Sequence, residues 1–260
     1  MKRTLKEFRF FETYETASWL EAAASTPESF MEIPWEDRNV AKALGSFSKV
    51  SILHHYIYHL LSVEKRREYR ENTYDRSPDE IDDFRKVFKD YQIDLRDEKT
   101  FQPYGDDYDE YEHFYLWFLY HEDSFTLLWE NITDEVFHLL FANRGFLLIF
   151  NKSLAFYLEG HPEIIPREYR DDNCKIKRAN NIPIWTKKAV YFRDQGKCVL
   201  CFKDLTGLLS TDQVVHYDHI VPLNCWGIND PCNLQLLCEE CNLKKGGFAG
   251  STGIRYREWW

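Results

Sequence analysis

Two Cys-x-x-Cys pairs, Cys198/Cys201 and Cys238/Cys241, are the clearest chemical feature of the sequence. Each pair can place two thiolates on one metal ion, and four thiolates form the tetrahedral ligand set that structural zinc prefers. The 36 residues between the pairs exceed the spacing of the commonest zinc ribbons, which is about 15–20 residues. We therefore expect one structural zinc ion on these four cysteines and a folded segment between the two pairs.

Polar residues in and beside that segment could perform hydrolytic chemistry. Asp218 and His219 are adjacent in the sequence, and Asn242 directly follows the last cysteine. A neutral histidine takes a proton from water near neutral pH. The side-chain oxygen atoms of Asp218 and Asn242 are suitable ligands for a hard divalent cation such as Mg²⁺ or Mn²⁺. The residue types thus indicate a catalytic cation beside a general base.

Local patterns predict the elements that position these side chains. Residues 214–221 alternate in polarity and are rich in β-branched residues, so we expect a strand, with residues 233–237 forming a second strand paired back on it. From residue 238 a helix is predicted, with acidic residues in its first turn and Gly246 and Gly247 at its end. This hairpin followed by a helix would bring the Asp-His pair close to Asn242.

The order of these motifs resembles the HNH endonuclease family, whose core is a ββα-metal finger. The matching stretches are CVLC, YDHIVPLN, NLQLLC and CEECNLKK, within residues 185–247. The resemblance covers roughly the last quarter of the chain. It implies a metal-dependent nuclease that hydrolyses phosphodiester bonds in DNA, with the zinc site acting as a structural clamp.

The resemblance also implies roles for individual residues. His219 corresponds to the general base, Asp218 to a metal ligand, and Asn233 to the asparagine that braces the loop carrying the histidine. The third position of the family motif is usually histidine, and Asn242 stands there in this chain. Related nucleases use asparagine at that position as a metal ligand, so the departure favours Mg²⁺ or Mn²⁺ over softer ions.

Several cations near these motifs are candidates for contacts with DNA phosphates. They are Lys244 and Lys245 after the last cysteine and Lys187, Lys188 and Arg193 in a short helix predicted before the first cysteine pair. The alternative is a catalytically inactive zinc module that binds DNA or a protein partner. A purely structural knuckle, however, requires none of the Asp, His and Asn residues named above.

Charge divides the chain into two parts. The net charge is −10, and residues 181–260 hold 9 Lys/Arg against 8 Asp/Glu, a balance of +1, which leaves −11 for residues 1–180. We expect an α+β protein, with a mainly helical, aromatic-rich domain at 1–180 and a small ββα-metal, treble-clef-like nuclease domain at 181–260. Helices are predicted from Ile52 to about residue 71, from Ser77, and over 110–130 and 134–159.

An acidic surface repels phosphates, so we expect the domain at 1–180 to dock a protein partner or to form a homo-oligomer. This arrangement resembles the HNH subunits of bacterial anti-phage systems. The cysteine usage favours a reducing compartment. The N-terminus does not look like a signal peptide, and no apolar run is long enough to span a membrane. A cytoplasmic protein is therefore expected.

Overall fold

A computed structural model describes residues 7–71, 79–101, 113–207, 214–247 and 249–256. Most of these residues are helical, and the strands form a single antiparallel pair. The α-helices are α1 (Thr13–Ala23), α2 (Arg38–Gly45), α3 (Ile52–Glu71), α4 (Asp79–Asp90), α5 (His113–Tyr120), α6 (Glu122–Ala142), α7 (Arg144–Gly160), α8 (Ile184–Arg193) and α9 (Glu239–Lys245). The strands are β1 (Val215–His219) and β2 (Leu234–Cys238). The predicted α+β class is confirmed.

Helix positions agree with the sequence pattern except where a local cap interrupts it. The helix predicted from Ile52 is α3, and the predicted start at Ser77 lies outside the described residues, just before α4. The predictions of one helix over 110–130 and one over 134–159 are wrong. The described part of the first range is divided between α5 and α6 at His121. In the second range, the side chain of Asn143 accepts a hydrogen bond from the amide of Phe146 and begins α7 as a separate helix. No single helix among those described is long and apolar enough to cross a membrane, although α6 and α7 together meet that length and composition.

The chain forms two compact units. Unit 1 comprises Met1–Ala17 and Ile57–Phe137, and unit 2 comprises Ser18–Tyr56 and His138–Trp260. The domain boundary predicted near residue 180 lies inside unit 2. The functional division between residues 1–180 and 181–260 stays a prediction.

Unit 1 is built around aromatic rings and one buried carboxylate. The rings of Tyr69, Phe84 and Phe125 pack with centroids 5.1–6.0 Å apart. Glu135 is 1% exposed and accepts hydrogen bonds from the backbone amides of Arg9 and Phe10, from the Thr13 hydroxyl and from the Tyr91 hydroxyl. These bonds offset the cost of burying the charge. The aromatic residues of this unit therefore serve largely as its core.

The elements predicted to carry the chemistry lie in unit 2. We call residues 184–247, from α8 to the turn after α9, the C-terminal module. Its strands pair antiparallel, with Asp218 opposite Gln235 and His219 opposite Leu234. All five residues of β2 are buried, and α9 ends where Gly246 takes a positive φ of 59°. The predicted hairpin followed by a helix is confirmed.

Buried hydrogen bonds attach the C-terminal module to helices of the same unit. Asp230 is fully buried, and its carboxylate accepts from the amide of Ile52 at the start of α3 (2.9 Å) and from the amide of Cys232 (2.7 Å). Asn151 on α7 donates to the carbonyl of Cys232 (3.0 Å). Burial raises the pKa of Asp230 to about 6. The loop between the strands is therefore held by partners far away in sequence.

Candidate active site

The four predicted zinc ligands lie together at the base of the hairpin. Their Sγ atoms are all within 4.8 Å of one another, and the Sγ atoms of Cys201 and Cys238 are 3.7 Å apart. A tetrahedron with Zn–S bonds of about 2.3 Å has edges of about 3.8 Å. The amide of Val199, inside the first pair, donates to the carbonyl of Leu236 (3.0 Å) and so joins the knuckle to β2. The site therefore fits a four-thiolate zinc ion.

Asn233 braces the loop that follows β1. Its Oδ1 accepts from the amide of Val221 (2.8 Å), and its Nδ2 donates to the carbonyls of Val221 (2.9 Å) and Ile228 (3.0 Å). The side chain is fully buried, so each bond contributes about 0.5–1.5 kcal/mol. The backbone of Gly227 packs directly against Val221 in this loop, because a Cβ atom at position 227 would be 1.9 Å from the carbonyl oxygen of Val221. These contacts give Asn233 the geometry of a brace, although its role in catalysis stays a proposal.

Asn229 fixes the imidazole of His219. Its Nδ2 donates to the carbonyls of Lys177 (2.7 Å) and Gly45 (3.4 Å), which can only accept. Its Oδ1 therefore faces Nε2 of His219 at 3.3 Å, and this ring nitrogen must carry the proton. Nδ1 is then the unprotonated nitrogen of the neutral ring. Burial, followed by the nearby charge of Arg178, lowers the pKa of His219 to about 4, so the ring is neutral at neutral pH.

His219 lies on an open cleft of about 710 Å³. Asp218 and Asn242, the two predicted cation ligands, line the same cleft, so the structure brings the three residues together. His216 lies on the same face of β1 as Asp218, with its Nδ1 3.5 Å from Nδ2 of Asn242. Other polar residues of the lining are Asp171, Asn173, Lys175, Lys177, Arg178 and Asn224.

The carboxylate of Asp218 uses only one oxygen atom within the described part of the chain. Oδ2 forms an ion pair with Nζ of Lys245 (2.9 Å) and accepts a hydrogen bond from Nε2 of Gln235 (3.2 Å), whereas Oδ1 has no hydrogen-bond partner there. An open cleft with a carboxylate oxygen and the side chain of Asn242 fits a hard divalent cation that keeps several of its waters. The residues present thus fit the predicted Mg²⁺ or Mn²⁺.

The structure separates the cations predicted to contact DNA. Lys188 and Lys244 are exposed, and Lys187 is partly buried with its Nζ 5.8 Å from the ring centre of Tyr217. Arg193, in contrast, has a side chain that is 2% exposed, pairs with Asp194 (2.8 Å) and donates to the carbonyl of Leu234. Because its guanidinium is occupied inside the module, we remove Arg193 from the candidate contacts.

Lys245 also differs from its prediction as a surface phosphate contact. Its side chain is 2% exposed, and Nζ donates to the carbonyl of His219 (2.8 Å) and forms an ion pair with Asp218. Neighbouring residues on a helix point about 100° apart, so α9 presents Lys244 to solvent and Lys245 to the site. Lys245 is therefore a charge partner of Asp218 in this structure.

Three contributors to the site carried no usable signal in the sequence. Asn229 belongs to no recognisable spacing, and the sequence pattern indicates for Gln235 only a place in the predicted strand 233–237. Arg178 belongs to the charged run at 167–178, which in the sequence indicates no more than a boundary between domains. Only their positions in the fold connect them with Asp218 and His219.

The zinc assignment predicts that Cys238→Ser abolishes zinc binding and unfolds the C-terminal module, because metal binding in such sites is coupled to folding. Cys174→Ser is the matched control, since Cys174 lies outside the cluster. Elemental analysis of protein purified without chelators should find one zinc per chain in the wild type and the control. Zinc-free wild-type protein with an intact circular dichroism spectrum would contradict the assignment.

The hydrogen bond from His219 to Asn229 predicts the Nε2–H tautomer. Heteronuclear NMR of protein labelled in its histidine rings should show this tautomer in the wild type, and a mixture of both neutral forms in Asn229→Ala, which lacks the acceptor. Asn224→Ala, a cleft residue without a bond to the ring, serves as the control and should behave like the wild type. An Nδ1–H tautomer in the wild type would disprove the arrangement.

Comparison with known proteins supplies a family for the C-terminal module. No curated protein and no solved structure matches the chain. The family model described as HNH endonuclease matches residues 198–248, which include both cysteine pairs, β1 with Asp218 and His219, β2, and α9 with Asn242. The C-terminal module is therefore similar to the HNH endonuclease family over residues 198–248, and its four cysteines are positioned to form a zinc knuckle.

Proposed function

We propose that the protein is a metal-dependent HNH endonuclease that hydrolyses phosphodiester bonds in DNA. The observation that carries the proposal is the shared cleft of His219, Asp218 and Asn242, inside a module that matches the HNH endonuclease family. A zinc knuckle alone would not need a neutral, oriented histidine on an open cleft. This argument favours a nuclease over an inactive zinc module.

His219 acts as the general base in the proposed mechanism. With Nε2–H held by Asn229, Nδ1 takes a proton from a water molecule in the cleft, and the water oxygen attacks the phosphorus atom. The bond from phosphorus to the 3′ oxygen breaks, and that oxygen takes a proton from solvent. Asn233 supports this step indirectly, because it holds the loop that follows the histidine.

Asp218 and Asn242 would hold the catalytic cation, Mg²⁺ or Mn²⁺. When bound, such an ion stabilises the negative charge that develops on the phosphate and on the leaving oxygen. Lys245 holds Asp218 in place through their ion pair, and Lys187, Lys188 and Lys244 are proposed to contact flanking phosphates. Each of these roles rests on position in or near the cleft and on charge.

General electrostatic attraction does not explain how this acidic chain would bring DNA to the cleft. Phosphate neutralisation dominates non-specific affinity, and the chain carries a net charge of −10. We propose that residues 1–180 dock a partner or a second copy of the chain, as in a nuclease subunit of a bacterial anti-phage system. The reduced cysteines suit a cytoplasmic protein.

His219→Ala should lower the rate of plasmid cleavage by about 10²–10⁴-fold, the usual contribution of a general base. Zinc content and DNA binding should stay near wild type, because the variant removes no zinc ligand and no cation. Cleavage should require added Mg²⁺ or Mn²⁺. His216→Ala is the informative comparison: if it loses cleavage while His219→Ala cuts at the wild-type rate, His216 is the base and the assignment is wrong.

Self-association would be visible as a mass above that of one chain in size-exclusion chromatography with light scattering. An interface through the acidic region should respond to salt, since charges at its rim are screened. A monomer at every concentration and salt would contradict a homo-oligomer, and would restrict the proposal to a separate protein partner.

A further inference from the structure

We propose that residues 170–178, here called the basic turn, form a second DNA-binding wall of the cleft, in which Lys177 and Arg178 bind backbone phosphates of duplex DNA. The basic turn lies outside the segment that matches the HNH family, which begins at residue 198. The inference rests on the proposed nuclease function and names the surface that positions its substrate.

The basic turn is a fixed structure. Arg170 and Ile176 form an antiparallel bridge, and the amide of Asp171 donates to the carbonyl of Lys175 (2.7 Å). The side chain of Asp171 accepts from the amides of Asn173 and Lys175, both at 2.9 Å. Because Ile176 is 3% exposed, it anchors the turn in the core of unit 2. Because this backbone is ordered before a ligand binds, binding requires little further ordering of the main chain.

Two of the four cationic side chains of the basic turn have hydrogen-bond partners among the described residues, and two do not. Arg170 donates to the carbonyl of Pro162 (3.3 Å). Lys175 donates to the carbonyl of Asn224, and its Nζ is 5.5 Å from the ring centre of Trp226. Lys177 and Arg178 are exposed, and neither side chain has a hydrogen-bond or ion-pair partner in the part of the chain that the structure describes.

Position connects these free cations with the reacting groups. Lys177 and Arg178 line the same cleft as His219 and Asp218. The carbonyl of Lys177 accepts the hydrogen bond from Asn229 (2.7 Å), and Asn229 in turn holds the ring of His219. One asparagine thus sets the distance between the basic turn and the general base.

Phosphate oxygen atoms are the ligand that this arrangement fits. The cleft is open and is lined by Lys175, Lys177 and Arg178, and exposed ammonium and guanidinium groups bind phosphate oxygen atoms. In a chain with net charge −10, a local positive wall allows duplex DNA to bind at the reacting groups without coating the remaining surface. Lys177 and Arg178 are therefore positioning residues.

The test measures DNA affinity against salt for the full-length chain, without added divalent cation and without chelator so that zinc is retained. Fluorescence anisotropy of a short labelled duplex gives the slope of log K against log salt. Each lost phosphate contact reduces the slope by about 0.9, so Lys177→Gln/Arg178→Gln should reduce it by about 1.8. Lys49→Gln/Arg167→Gln removes the same charge from two exposed cations outside the cleft, and should leave the slope near wild type.

Equal slopes for the two double variants would overturn the proposal, because net charge alone would then explain the binding. A wild-type chain without salt-dependent DNA binding would overturn it as well. The proposed nuclease fails in a different way: a wild-type chain that binds through the basic turn but does not cut DNA with Mg²⁺ or Mn²⁺ supports the binding wall and refutes catalysis. If Lys177→Gln/Arg178→Gln keeps the wild-type slope while the wild-type chain cuts DNA, only the proposed binding wall is refuted.

Discussion

Four cysteine sulfur atoms within 4.8 Å of one another join the two ends of a 36-residue segment, and the geometry of the C-terminal module depends on this connection. A two-stranded hairpin is marginally stable by itself in water. A zinc ion on this cluster would hold the hairpin against the knuckle and against the start of α9. Cys198 and Cys238 also belong to the small core formed with Val199, Leu205, Leu236 and Leu237. Asp218 and His219 on β1 can therefore stay next to Asn242 on α9.

The site also depends on residues of unit 2 that lie far outside the HNH segment. The carboxylate of Asp230 accepts a hydrogen bond from the amide of Ile52 at the first turn of α3. The side chain of Asn229 donates a hydrogen bond to the carbonyl of Gly45 at the end of α2. Since Asn229 sets the tautomer of His219, the helices of unit 2 bear directly on the proposed general base. The C-terminal module is thus attached to the helices of unit 2 by buried hydrogen bonds.

The distribution of charge favours DNA binding at the cleft over DNA binding elsewhere on the surface. The chain is acidic overall, yet Lys175, Lys177 and Arg178 line the cleft and Lys245 lies beside Asp218. Local positive potential inside a negative protein lowers non-specific affinity while it keeps attraction at the cleft. Such a protein would depend on a partner or on a second copy for efficient delivery to its substrate, in agreement with the role proposed for residues 1–180.

The sequence alone determined the cysteine cluster, the hairpin followed by a helix, and the resemblance of the module to HNH endonucleases, because these features follow from spacing and from short-range patterns. It also indicated that one candidate site contains Asp218, His219, Asn233 and Asn242. Only the tertiary structure placed Lys245 inward and left Lys244 in solvent, since burial on α9 depends on what packs against it. The bond between Asn229 and Lys177 joins residues 52 positions apart. Contacts of that range depend on how the whole unit packs, and no local pattern encodes them.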